Sequence, residues 1–221
     1  MTQGNAFRRD EKIEKTYGAH FFEAGAHEIL DSKDSDPYRY QLFVGQHVVT
    51  VEAGDCAYWL SEDRLVAHLN RGPCQITSQH FLAIVRGFAP ENKTSTITRG
   101  TVLPYINGAS TKQIFPPDRP GDPTLQLLLM PPHTMEQAHH IHSTARLVYV
   151  LEGSGISVVG QKGNTSTHVL KPGTVIALDR MCPHHFKSFE ENLLVMPLHV
   201  WSSTGRDESN HPMFNGTFQI G

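Results

Sequence analysis

The fold is decided by the segment between residues 139 and 184, which contains His139-His140-Ile141-His142, Arg146-Leu147-Val148-Tyr149-Val150-Leu151-Glu152-Gly153 and Cys182-Pro183-His184. His140 and His142 are separated by one residue, so on an extended strand both imidazoles point to the same face. The apolar segment that follows ends at Gly153, which is typical of a strand entering a turn. His184 follows another short apolar run, where an antiparallel neighbour would bring it beside the first pair. Three imidazoles that converge inside a β-barrel would form a metal site.

The spacing of these residues resembles the two motifs of the cupin superfamily, G-x5-H-x-H-x3,4-E-x6-G and G-x5-P-x-G-x2-H-x3-N. The residues that fall on the motifs are His140, His142, Gly153, Gly173 and His184. The sequence also departs from them: Arg146 stands where the family carries a glutamate ligand, Thr134 replaces the leading glycine, and Asp179, Met181 and Ser188 replace the Pro, Gly and Asn of the second motif. The resemblance covers about residues 125–200. It implies an all-β fold, the cupin double-stranded β-helix or jelly-roll barrel.

The resemblance also implies a site in which His140, His142 and His184 hold one divalent transition metal ion. Fe(II) is favoured, with zinc, nickel and manganese as alternatives, because imidazole suits several of these ions. His139 and His185 should face the other way, although a register slip of one residue would exchange them with the proposed ligands.

Two further residues are candidates for catalysis. Strand parity places Arg146 on the inward face, where its planar fork could hold a substrate carboxylate; a surface position or a structural ion pair is the alternative. Glu136 lies four residues before His140, about 13 Å away along an extended strand, which is too far for a shared metal unless a bulge brings it closer. It could still serve as a base in the pocket or pair with Arg146.

The composition limits the classes of partner. The chain of 221 residues has 19 basic and 22 acidic residues, a net charge of −3, and no run of like charge, so neither nucleic acid nor a membrane is expected as partner. The start of the chain lacks the pattern of a signal peptide, which predicts a cytoplasmic protein. We therefore expect a small anionic substrate and, since cupins commonly dimerise, a homodimer.

Short apolar runs separated by turn residues, with 18 glycines and 14 prolines, favour an all-β chain. Arg64–Leu69 echoes Arg146–Leu151, and residues 99–103 echo residues 172–176. The sequence thus predicts two tandem modules: a degenerate N-terminal cupin-like module (1–114), a Pro-rich linker (115–124) and a metal-binding C-terminal module (125–221). In that alignment the ligand positions of the first module hold Tyr58, Leu60 and Thr111.

Three functions remain open from the sequence. The first is a mononuclear Fe(II) dioxygenase acting on a small anionic organic substrate, similar to the three-histidine cupin dioxygenases. The second is a non-oxidative metal-dependent isomerase or lyase, in which Glu136 or a free histidine moves the proton. The third is a non-catalytic small-molecule-binding cupin, favoured by the missing glutamate.

Overall fold

A computed structural model describes residues 7–34, 39–118 and 121–200, and this part of the chain consists mainly of β-strands. It begins with helix α1 (Glu11–Tyr17). The side chain of Asp10 accepts hydrogen bonds from the backbone N–H groups of Lys12 and Ile13, and Gly18, at φ 68°, ends the helix in the left-handed conformation. No helix in the described residues has the length and apolar character needed to cross a bilayer.

The C-terminal half forms one large sheet and one small sheet. The large sheet has seven strands in the order β1-β16-β13-β18-β12-β11-β10, and the small one has three in the order β15-β14-β17. The strands of the large sheet are β1 (Ala19–Phe22), β10 (Leu103–Pro104), β11 (Ser110–Phe115), β12 (Thr124–Met130), β13 (Ala145–Glu152), β16 (Val175–Leu178) and β18 (Leu193–Val200). Those of the small sheet are β14 (Gly155–Gln161), β15 (Asn164–Leu170) and β17 (His184–Ser188).

The N-terminal half also forms one larger and one smaller sheet. Six strands form a sheet in the order β2-β3-β8-β5-β6-β9, and two more, β4 and β7, pair with each other. The strands of the six-stranded sheet are β2 (Glu28–Asp31), β3 (Tyr40–Val44), β5 (Cys56–Leu60), β6 (Val66–Arg71), β8 (Phe81–Val85) and β9 (Lys93–Thr96). The pair consists of β4 (His47–Val51) and β7 (Cys74–Ser78).

The strand order shows how the halves correspond. The run β2-β3-β8-β5-β6 matches β11-β12-β18-β13-β16, and the hairpin β14–β15 has no counterpart between β5 and β6. In this correspondence β5 is equivalent to β13. The sequence alignment placed Tyr58 and Leu60 at the positions of His140 and His142, but the strand order does not. The strands that correspond to the histidine-bearing segments are β4 and β7, which carry apolar pairs such as Val49 and Ile76.

The two large sheets pack against each other through the largest apolar cluster of the described residues. Leu42, Tyr58 and Phe81 contribute from the N-terminal half, and Leu147 and Tyr149 from the C-terminal half. Side chains alternate between the two faces of β13, which explains this placement. Leu147 and Tyr149 point to the shared cluster, while the intervening side chains point into the C-terminal barrel. A second cluster fills the inside of that barrel and includes the buried thiol of Cys182.

Strand pairing crosses the predicted boundary between the modules. β1 and β10, which lie within residues 1–114, and β11, which ends at Phe115, belong to the C-terminal sheet. β11 pairs antiparallel with β12, so the predicted linker stands between two neighbouring strands of one sheet. As a division into two cupin modules, the ranges 1–114 and 125–221 stay a prediction.

Candidate metal centre

The three predicted ligands lie together at one end of the C-terminal barrel. Their candidate ligand atoms are all within 4.8 Å of one another. His184 begins β17, whereas His140 and His142 lie on residues 131–144, which contain no regular strand. A single antiparallel bridge joins His140 to His184. This bridge places the two rings side by side, with centroids 4.5 Å apart.

Backbone carbonyl groups orient two of the three rings. Nδ1 of His140 lies 2.9 Å from the carbonyl oxygen of Ala138, and Nδ1 of His184 lies 2.8 Å from that of Cys182. A carbonyl can only accept, so each Nδ1 carries the hydrogen and each Nε2 presents its lone pair to the cluster. Nε2 of His142 is 2.9 Å from Nε2 of His140, so His142 must supply the hydrogen in this contact. In the tautomer of His142 that would hold a metal ion, this hydrogen is on Nδ1.

The same three imidazoles are held neutral. Burial lowers the pKa of His184 to about 3, and the positive charge of Arg146 contributes to the shift. Burial, followed by Arg146 and the neighbouring histidines, lowers the pKa of His142 to about 3. The pKa of His140 is also lowered, again chiefly by burial. Neutral imidazole is the form that binds metal ions.

The cluster opens into a cavity of about 170 Å³ inside the barrel. An apolar cavity of about 150 Å³ can hold one benzene ring, so the ligand that fits here is small. Apolar side chains form one part of the wall: Leu128, Val148, Leu178, Phe186, Val195 and Pro197. The polar residues that line it beside the three histidines are Tyr105, Gln126, Glu136, Gln137, Arg146 and His199.

Arg146 lies in this wall, as strand parity predicted, and it is only 5% exposed. One terminal nitrogen, Nη1, donates to the hydroxyl of Thr144 and, at 3.4 Å, to the carbonyl of Ala145. Nε is buried and has no hydrogen-bond partner. A buried donor without a partner costs about 1–3 kcal/mol. Burial lowers the pKa of Arg146 to about 10, so the side chain stays charged at neutral pH.

Glu136 is much closer to the histidines than the sequence suggested. Oε1 of Glu136 lies 3.6 Å from Nε2 of His140, because residues 131–144 fold back instead of running as an extended strand. The estimate of about 13 Å was therefore wrong. Burial raises the pKa of Glu136 to about 8, and Arg146 opposes the shift. Glu136 is thus protonated at neutral pH and placed to exchange a proton with a ligand in the cavity.

The two flanking histidines point away from the cluster. Nδ1 of His139 lies 2.7 Å from Nδ1 of His185, and Nε2 of His139 lies 2.6 Å from the carbonyl oxygen of Gly160. They are thus paired with each other, outside the cavity lining. The alternative register, in which they replace His140 and His184, does not occur.

Four polar residues of the cavity lining were not recognised from the sequence as site residues. Gln126 and His199 lie on the buried strands β12 and β18, and a polar residue within an apolar strand was the available signal. His199 is the direct neighbour of Arg146 across the β13–β18 pair. Tyr105 and Gln137 reach the cavity from irregular segments, joined by a hydrogen bond of 2.7 Å. No local pattern marks them.

The donor set fits a transition metal ion. Three neutral imidazoles with two Nδ1 atoms already hydrogen-bonded to carbonyls match the arrangement usual for metal-binding histidines. Such a set suits iron, copper, nickel and zinc, and without a carboxylate it leaves the bound dication with its full charge of +2. An anion in the cavity would offset that charge.

Residues 126–201 match the family profile described as "Cupin domain". A search of curated proteins gave no significant match.

Solved structures show the same fold over most of the chain. A Pseudomonas aeruginosa protein described as glyoxylate-induced is 13% identical, with a TM-score of 0.55 over 81% of this chain and 79% of that chain. Salicylate 1,2-dioxygenase from Pseudoaminobacter salicylatoxidans, solved as adducts with gentisate, is 9% identical, with a TM-score of 0.52 over 82% of this chain and 81% of that chain. A cupin 2 conserved barrel domain protein from Leptotrichia buccalis is 16% identical, with a TM-score of 0.45 over 81% and 91%. The first two structures share the all-β fold of this chain.

Proposed function

We propose that this protein is a metal-dependent enzyme, most specifically a mononuclear Fe(II) dioxygenase that acts on a small anionic organic substrate. His140, His142 and His184 would hold the ion. The observation that carries the proposal is that three neutral imidazoles and the side chain of a buried arginine line one cavity. An Fe(II) ion bound there would supply the redox chemistry that activates dioxygen.

Each remaining group of the cavity has a role in this proposal. Nη1 of Arg146 is already bound to Thr144 and Ala145, and the positive charge of the guanidinium would attract a substrate carboxylate in the cavity and fix its orientation. Glu136, protonated at neutral pH, would donate a proton to the substrate or accept one from it. The apolar wall excludes water, and the volume of about 170 Å³ limits the enclosed part of the substrate to about the size of one ring.

A second candidate function is a non-oxidative isomerase or lyase, in which the metal serves as a Lewis acid. The position of Glu136 favours it, since a buried carboxyl group with a pKa of about 8 lies 3.6 Å from His140, where a proton-transfer group would be needed. Glu136 serves both candidates, so the identity of the metal and the use of dioxygen must decide between them.

The test begins with elemental analysis of protein purified without added metal. It continues with oxygen-uptake measurements on the anaerobically Fe(II)-loaded protein, using glyoxylate, glycolate, salicylate, gentisate and a β-diketone. Bound iron with oxygen uptake on a panel compound supports the dioxygenase. Zinc, nickel or manganese without uptake supports the isomerase or lyase. Absence of stoichiometric metal, together with failure to take up Fe(II), Zn(II), Ni(II) or Mn(II), refutes both and leaves a binding protein.

The matched variants are His142→Ala and His133→Ala. His133 precedes the site on the same irregular segment, and its side chain is exposed and pairs with Glu190 at the surface. The proposal requires loss of bound metal in His142→Ala and retention in His133→Ala. Equal metal content in the two variants would show that the ligand assignment is wrong.

A further inference from the structure

The bridge that joins the two ligand-bearing segments carries a second pair of imidazoles on its outer face. The N–H of His140 donates to the carbonyl of His184 at 3.1 Å, and the N–H of His184 donates back to the carbonyl of His140 at 2.9 Å. The residues next to this pair, His139 and His185, therefore face each other on the opposite side. Their Nδ1 atoms are 2.7 Å apart, and the rings meet edge to face with centroids 5.0 Å apart.

The hydrogen bonds of this outer pair determine where its hydrogens lie. The carbonyl oxygen of Gly160 can only accept, so Nε2 of His139 carries a hydrogen in the 2.6 Å contact. In a neutral ring Nδ1 of His139 is then an acceptor, and the 2.7 Å contact requires a hydrogen on Nδ1 of His185. His185 thus donates to His139, and His139 donates to the carbonyl of Gly160. Nε2 of His185 is left bare, and it is buried with no hydrogen-bond partner.

The outer pair matters because few other contacts hold residues 139–142 against the barrel. These residues form no regular strand, and their backbone is tied to neighbouring segments by the bridge at His140 and by a bond of 2.7 Å from the N–H of Met181 to the carbonyl of His142. The ring of His139 adds a connection across β17 to Gly160 on β14. Gly160 itself is tied to the strand that carries His184, since its N–H donates to the carbonyl of Pro183 at 2.9 Å.

We propose that His139 and His185 are positioning residues that fix the distance between His140 and His184, and that metal affinity depends on the donor at Nδ1 of His185. This inference rests on the proposed metal-binding function. Neither residue touches the metal or the substrate: they act through the backbone of the bridge. Ligand distances must hold within about 0.5 Å, so a change in the pairing of two strands is enough to weaken the site.

The experiment compares His185→Leu with His185→Asn. Leu removes the donor, whereas the amide nitrogen of Asn lies near the position of Nδ1 and can still donate to His139. Zn(II) affinity is measured by competition with a chromophoric chelator, and the geometry of the site by the visible absorption of the Co(II) form. We expect His185→Leu to bind Zn(II) about 10–100-fold more weakly with a changed Co(II) spectrum, because supporting residues have effects of this size. His185→Asn should remain within about threefold of the wild type, and the surface control His133→Leu should be unchanged.

A second measurement needs neither metal nor a substituted protein. In the metal-free wild type, ¹⁵N NMR of the imidazoles should show hydrogen on Nδ1 of His185 and on Nε2 of His139. The reverse tautomers would overturn the inference even if His185→Leu failed to fold.

The outcomes separate the two proposals. Wild-type protein that binds metal together with a His185→Leu variant of equal affinity and equal Co(II) spectrum would overturn the positioning role and leave the proposed function standing. A His185→Asn variant as weak as His185→Leu would also overturn it. Wild-type protein that binds no metal would overturn the proposed function and this inference with it.

Discussion

Acidification from pH 7 to pH 5 should destabilise the metal-free protein through His184. This side chain is only 4% exposed, and burial lowers its pKa from 6.5 to about 3. A folded-state pKa below the unfolded-state value means that the unfolded chain binds more protons between these two pH values. The contribution to stability is therefore present above pH 6.5 and is lost as the pH falls towards 3.

The size of the effect follows from the two pKa values. At pH 5 the histidine of the unfolded chain is almost fully protonated, whereas His184 in the folded protein stays neutral. The free energy of unfolding should thus fall by about 2 kcal/mol between pH 7 and pH 5 for this one group. A folded pKa of 4 would give nearly the same figure, because pH 5 lies above both values. His142 adds a change of the same sign, reduced by its partial exposure.

The assay is guanidinium unfolding of chelator-treated protein, followed by circular dichroism at pH 7 and pH 5. Wild type should lose about 2 kcal/mol more than His184→Gln, which has no group to protonate. The surface variant His133→Gln should follow the wild type. Parallel losses in wild type and His184→Gln would refute the reasoning, because they would show that His184 is already protonated at pH 5 in the folded state or is not buried.

Three further outcomes are expected. Arg146→Met removes a positive charge that disfavours a cation at the neighbouring histidines, so Zn(II) should bind about tenfold more tightly. The variant should bind small carboxylates about 10–100-fold more weakly by calorimetry, and unchanged carboxylate affinity would contradict the proposed role. In metal-free protein, carboxylate binding should weaken above pH 8 as Glu136 ionises, and a Glu136→Gln variant with the same pH profile would show that another group is responsible. Leu147→Ala, in the shared apolar cluster, should lower the free energy of unfolding by about 2–5 kcal/mol, whereas Val48→Ala, at a site 65% exposed, should change it by less than about 0.5 kcal/mol.

Strand parity made part of the site predictable from the sequence. The two-residue period of β13 separates Arg146 and Val148, which face the cavity, from Leu147 and Tyr149, which face the other sheet. The same period could not be applied to residues 131–144, where the chain forms no regular strand. Glu136 was consequently placed far from His140, although the two side chains are 3.6 Å apart.

The correspondence between the halves was harder to predict for a different reason. Many short apolar strands resemble one another, and the hairpin β14–β15 is present in one half only. An alignment based on a few matched residues therefore paired β5 with the histidine-bearing segment, whereas the strand order pairs β5 with β13. The pairing of β1 with β16 joins residues more than 150 positions apart, such as Ala19 and Leu178. Nothing in the local sequence of β1 specifies so distant a partner, because β1 pairs with the free edge of β16, and that edge exists only once the rest of the sheet has formed.

The apolar cluster between the two large sheets has a consequence for how the molecule responds to cleavage. Because both halves bury side chains such as Phe81 and Leu147 in one common interior, neither can separate without exposing that interior to water. A protease cut in the connection between β11 and β12 should therefore leave a nicked protein that migrates as one particle and melts in one transition. The halves would come apart only in denaturant.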